Sequence, residues 1–106
     1  MTHEYTILLG GVVIPGGGGP DATAIAWAHD TVLLVDSDAA VRAISRGDSH
    51  FVDLGGHFVV PLAEPLDAGS PADLAVFASD PRVGPSGATP LAVVRAGRVT
   101  MGRLET

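Results

Sequence analysis

Apolar residues along this chain fall in short blocks between glycine, proline and aspartate turn signals, with few stripes of period 3.6. Short blocks rich in β-branched residues predict strands, so a mainly β fold is expected. Thr6 to Ile14 carries Ile7, Leu8, Leu9, Val12, Val13 and Ile14 around Gly10-Gly11. It reads as two short strands joined by a turn or bulge and ended by Pro15. Ala22 to Trp27 and Thr31 to Val35 flank His29-Asp30, which predicts a hairpin with those two residues at its turn. Asp36, Ser37 or Asp38 then caps one short helix, Ala39 to Arg46, with Val41 and Ile44 on one face and Gly47 as its stop. Phe51 to Leu54 and His57 to Val60 lie around Gly55-Gly56, a pair suited to a type I′ turn, and predict a second hairpin closed by Pro61. Leu62 to Ala72, broken by Pro65, Gly69 and Pro71, predicts a connection. Asp73 to Ala78 predicts a strand, Asp80 to Pro90 a loop, and Leu91 to Arg95 with Arg98 to Met101 a last hairpin turning at Ala96-Gly97.

Composition narrows the function classes. With 106 residues there is room for one domain, and about 250 are typical of a catalytic (β/α)₈ barrel, so no such barrel fits. A net charge of −6 argues against a nucleic-acid partner, because phosphates repel an acidic surface. The absence of cysteine excludes disulfides and thiolate chemistry and makes the cytoplasm the expected compartment. Ile7 to Ile14 is too short for a membrane span and lacks the flanks of a secretory signal, so no membrane association is expected.

Candidate chemistry is thin. His3, His29, His50 and His57 form no His-x-His or His-x-x-x-His pair. In the predicted Gly55-Gly56 hairpin His50 and His57 would share a sheet face, but roughly 13 Å apart along the ladder, too far for one metal ion. None of Ser37, Ser45, Ser49, Ser70, Ser79 and Ser86 lies in a Gly-x-Ser-x-Gly elbow. Asp36-Ser37-Asp38 is better explained as helix capping than as an acid/base pair. Gly16 to Pro20 reads as a linker, since a phosphate-binding loop would end in Lys-Ser/Thr and the chain has no lysine.

Taken in order, these segments resemble the small composite β domain of the amidohydrolase (metallo-dependent hydrolase) superfamily. Thr6 to Leu9 with Gly11 to Pro15 resembles its first strands, and Ala24 to Ala26 through His29-Asp30 to Leu33 its next hairpin. Val52-Asp53-Leu54-Gly55-Gly56-His57-Phe58-Val59-Val60-Pro61 resembles the segment that leads into the family's first barrel strand. Gly69 to Phe77 resembles the return from the barrel, and Val93-Val94 to Gly97-Arg98-Val99 the closing hairpin. The resemblance implies a small β-sandwich or pseudo-barrel with one short helix, a single domain over residues 1–106. Residues 1–61 match the family's N-terminal part and 69–106 its C-terminal part, while 62–68 replace the barrel. Where the family has its His-x-His metal pair, this chain has Asp67 and Gly69. No catalytic, cofactor or metal residue carries over, and Asp73 and Asp80 read as turn and strand-end residues.

Two functions follow from the resemblance. The first is a non-catalytic stand-alone β domain serving as a structural or protein-interaction module. The second is part of a metal-dependent amidohydrolase whose barrel is supplied by another chain. Leu62, Pro65 and Leu66 are apolar in a connection that should be polar. They mark an expected interface, with a second copy in a homodimer or with a barrel-containing protein.

Overall fold

The computed structural model describes residues 5–16, 20–45, 49–62, 65–82 and 89–104. Its strands are β1 (Thr6–Leu9), β2 (Val12–Val13), β3 (Ala24–Ala28), β4 (Thr31–Asp36), β5 (His50–Asp53), β6 (Phe58–Pro61), β7 (Leu74–Phe77), β8 (Ala92–Arg95) and β9 (Arg98–Gly102), with one helix, α1 (Asp38–Ala43), between β4 and β5. They build two sheets, β4-β3-β1-β5 and β2-β6-β7-β8-β9. The mainly β reading holds, and so do two of the hairpins. His29 (φ 56°) turns β3 into β4, and Ala96 and Gly97 (φ 50° and 77°) turn β8 into β9.

The Gly55-Gly56 hairpin requires correction. The turn itself is there: both glycines have positive φ and the His57 N–H donates to the Leu54 carbonyl at 3.0 Å. The flanking strands, however, do not pair with each other. β5 runs parallel to β1 in the first sheet, with Leu8 opposite Val52, and β6 runs parallel to β2 in the second, with Val13 opposite Val59. Each of the two Gly-Gly segments is thus a corner where the chain changes sheet. Backbone bonds carry the parallel pairing through both corners together: Leu54 N to Leu9 O at 2.7 Å, Gly56 N to Gly10 O at 2.9 Å, and Val12 N to His57 O at 3.0 Å. Gly11 has no room for a side chain, since a Cβ would lie 2.6 Å from the His57 carbonyl oxygen and 2.5 Å from a Leu54 methyl.

Ser37 is the N-cap of α1, its Oγ accepting from the Ala40 N–H at 3.2 Å. The helix is shorter than the expected Ala39 to Arg46: Ile44 caps its C-terminus, and Arg46 and Gly47 lie outside the described residues. Val41, with the partly buried Ile44, covers the outer face of the first sheet at Ile7, Leu9, Ala24 and Ala26. The opposite face of that sheet, Leu8, Ile25, Trp27, Val32 and Val52, packs on Val13, Val59, Leu74, Val76, Ala92 and Val94 of the second. No polar or charged side chain is buried among the described residues, so this core rests on apolar contact alone.

The two sheets are also stitched at one end. Residues 69–73 run beside β4, with Gly69 N on Val32 O, Val32 N on Ser70 O and Ala72 N on Asp30 O, each at 2.8 Å. The β8–β9 turn closes over this segment. Gly97 N donates to Ala72 O at 3.0 Å, Ala96 N to Asp73 Oδ1 at 2.7 Å, and the Trp27 indole N–H to Gly97 O at 3.2 Å. A Cβ on Gly97 would overlap the His29 carbonyl, whereas one on Gly69, which also has positive φ, would meet nothing. Gly97→Ala is therefore expected to cost more than about 2 kcal/mol and Gly69→Ala about 1 kcal/mol. Thermal melts of the two variants check this; equal losses would show that the turn is not locked against His29.

Candidate functional site

The connection between β6 and β7 is where the sequence concentrates its anomalies. Pro61 lies opposite Leu74, and Leu62 N still donates to Asp73 O at 3.1 Å, so the connection leaves and re-enters the sheet at adjacent positions. Within it Leu66 N donates to Pro15 O at 2.7 Å, and its side chain, 1% exposed, belongs to the main core. The expected interface is corrected to that extent: Leu66 faces inward to close the sandwich, while Leu62 (38% exposed) and Pro65 stay at the surface. A proline-rich connection needs an apolar anchor, and Leu66 supplies it.

Beside this connection lies an open cleft of about 860 Å³, lined by Pro15, Gly16, Asp21, Asp36, Pro65 and Asp67 among others. Its polar side chains each hold at least one hydrogen bond. Asp36 Oδ1 accepts from Ser37 N, Asp67 Oδ1 from Ala68 N, and Asp21 holds Arg82 through two oxygens at 3.1 Å each. The Ser37 hydroxyl caps the helix and the Thr23 hydroxyl accepts from Asp38 N. Among the described residues that line this cleft, none pairs a nucleophile with a base.

The other described aspartates are likewise hydrogen-bonded. Asp38 accepts from Gly10 N, Asp53 from Gly55 N, Asp73 from Ala96 N, Asp80 from Arg82 N and Asp30 from the Thr31 hydroxyl. Every described aspartate is thus a cap, a turn acceptor or an ion-pair partner, in line with the capping reading of Asp36 to Asp38 and the turn reading of Asp73 and Asp80. Among the described residues no three His, Cys, Asp or Glu side chains gather where an ion could be held. His29 sits in the β3–β4 turn. His50 is on β5 of the first sheet and His57 heads β6 of the second, so they share no ladder face. His3, Ser86 and Gly17 to Gly19 lie outside the described residues.

One element escaped the sequence reading. Arg82 bridges Asp21 and Asp80 (3.1 and 2.9 Å), tying the stretch after β7 to the stretch before β3. Residues 61 positions apart leave no local signal of such a pair. Hydrogen bonds from the Arg82 side chain and backbone hold the Asp80 carboxyl below its usual range.

No family model matches the chain, and no curated protein matches it in sequence. Among solved structures its fold is similar to part of an uncharacterized metal-dependent hydrolase from Pyrococcus furiosus, at TM-score 0.50 and 19% identity over 54% of this chain. The match spans 13% of that protein's length. A counterpart from Pyrococcus horikoshii OT3 aligns at TM-score 0.49 and 20% identity, over 54% of this chain and 12% of its own. At the level of fold, the resemblance to a small β part of a metal-dependent hydrolase is borne out.

Two outcomes follow from this geometry. Leu66→Ala is expected to cost about 2–5 kcal/mol in chemical denaturation and Leu62→Ala under about 1 kcal/mol; the reverse order would put Leu62 in the core. Because the Asp80 carboxyl is held low in the folded state, its contribution is complete above the ordinary carboxylate pKa of about 3.9 and fades as pH falls toward the lowered value. The stability gap between the parent and Arg82→Met should therefore be constant near neutrality and close in acid, and it should be small, because the pair faces solvent. A gap that widens in acid would contradict the pairing.

Proposed function

We propose that the chain is a non-catalytic β module of amidohydrolase type, in which a short connection stands where a catalytic barrel would be inserted, and that it serves as a structural or protein-interaction unit. The observation that carries this reading is the β6–β7 junction. Strands that a barrel would separate pair directly, Pro61 opposite Leu74, and the connection between them spends Leu66 on the core. A domain can be lost or gained at such a point without breaking a sheet ladder, because the two strand ends are already neighbours. The likeness to a small fraction of a metal-dependent hydrolase supports the origin of the fold, and fold by itself confers no activity.

The chemistry of the described residues supports the silent reading. Activating water on zinc takes about three protein ligands. The described histidines stand in three separate places, His29 in the β3–β4 turn, His50 on β5 and His57 just before β6, and the aspartates are engaged with backbone and arginine donors.

The test is elemental analysis of the purified chain after exposure to zinc, manganese and iron, with assays on amides, lactones and cyclic ureides. Well under one equivalent of metal and no turnover are expected. Stoichiometric metal together with chelator-sensitive hydrolysis would overturn the proposal.

A further inference from the structure

The inner face of the first sheet ends in a row unlike the rest. Trp27 lies opposite Thr6, and Thr6 opposite His50, across β3, β1 and β5. Two residues along each strand, on the same face, the row is Ile25, Leu8 and Val52, all buried in the main core. Thr6 and His50 are therefore polar side chains on the face that the core occupies, and both are half-buried. Across from them is Val99 of the second sheet, paired with the core residue Val94. Together with Arg103 and Leu104, just past the end of β9, these residues line a cleft of about 390 Å³ between the sheets. Both ladders beside it slip register at its walls, between Ala26 and Trp27 and between Val93 and Val94, and such irregularities re-aim side chains. Its apolar walls are Trp27, Val99 and Leu104, the last packed against the main core.

The charge of this cleft is opposite to that of the chain. The clefts beside Pro65, between α1 and β5 and over the Gly55 corner are each lined by aspartate. This one has no carboxylate among its described lining residues and carries Arg103, in a chain of net charge −6. Arg103 stands between it and the Gly55 cleft, with no ion pair to Asp53 or to any other described residue. The Thr6 hydroxyl makes no hydrogen bond to a described residue.

We infer that this cleft binds a small monocarboxylate with an apolar body, its carboxylate held by Arg103 and the Thr6 hydroxyl and its body lying against Val99 and Leu104 over Trp27. Charge complementarity selects the class. A guanidinium matches a carboxylate with two parallel hydrogen bonds, and one arginine balances one negative charge. A phosphate would call for a second cation or a helix N-terminus, and the described lining offers neither. Mostly apolar walls with a few convergent polar groups are the usual make-up of a small-molecule site, and the volume is toward the small end of that class. The Trp27 indole N–H is spent on the Gly97 carbonyl, so the ring serves as floor and not as donor. The site involves neither the β6–β7 junction nor a metal, so it stands or falls separately from the proposed function.

The test is titration of the full chain with phenylacetate, 3-methylbutanoate and hexanoate, followed by the emission of Trp27, the chain's one tryptophan, and by amide chemical shifts. Saturable binding of at least one of them is expected, at about millimolar concentration or below, with shifts centred on Thr6, Val99 and Leu104. Phenylacetamide, which keeps the body and loses the charge, should bind about tenfold more weakly, and so should phenylacetate to Arg103→Gln. Arg103 is exposed, so that variant should stay folded, with circular dichroism as the check. Thr6→Val, which keeps the shape and removes the hydroxyl, should weaken binding several-fold, and Arg95→Gln, on the neighbouring strand and outside the cleft, should leave it unchanged. Flat titrations with all three carboxylates up to about 20 mM overturn the inference. So do shifts centred on another cleft, amide binding as tight as the acid, or a folded Arg103→Gln that binds like the parent.

Discussion

The structure depends on a pair of parallel segments that change sheet together. Residues 6–14 and 50–61 lie side by side, and each bends at a Gly-Gly pair from one sheet into the other. A single strand crossing between sheets would leave backbone N–H and C=O groups unpaired at the bend, at a cost of about 1–3 kcal/mol for each one buried. Two strands crossing in register satisfy each other through the corner, as the Leu9–Leu54, Gly10–Gly56 and Val12–His57 bonds show. The constraint falls on Gly11, where Leu54 and the His57 carbonyl occupy the space of a side chain. Once the double corner is set, both sheets have their first pair of strands, and the remaining strands add to those edges.

That arrangement also explains why so many carboxylates are spent on backbone N–H groups. A small chain with short strands has many turns, and each turn leaves N–H groups pointing at no carbonyl. Aspartate has the short reach to accept them locally, as Asp36, Asp53, Asp67 and Asp80 do within one or two positions, and Asp38 and Asp73 accept from turns that the fold brings beside them, at Gly10 and Ala96. The acidity of the chain is thus in part a by-product of its turn count.

What could be read from the residues was what they determine locally. The His29-Asp30, Gly55-Gly56 and Ala96-Gly97 turns, the Ser37 cap and the strand segments all follow from backbone preferences a few residues wide. The partners of those strands do not. Gly55-Gly56 forms the I′ turn its dihedral freedom suits, yet the ladder goes to β1 and β2, because pairing is decided by apolar faces far away in sequence. Leu66 shows the same limit: an apolar residue in a proline-rich connection fits an exposed seam or a core anchor equally well, and only the position of Pro15 and the sheet decides for the anchor. The Arg82 bridge, formed across 61 positions, had no local trace at all.

One further signal was present in the sequence. Phe58-Val59-Val60, Leu74-Ala75-Val76-Phe77 and Leu91-Ala92-Val93-Val94 are unbroken apolar runs, where a half-exposed antiparallel strand would alternate. Such runs belong to strands covered on both sides. The first sheet meets that requirement within the chain because α1 closes its outer face with Val41. In the second sheet the runs occur in the three central strands, where no edge effect could account for them, and the described residues supply a cover for one face only. Both sheets were therefore written with two-sided strands, and among the described residues only the first has both of its covers.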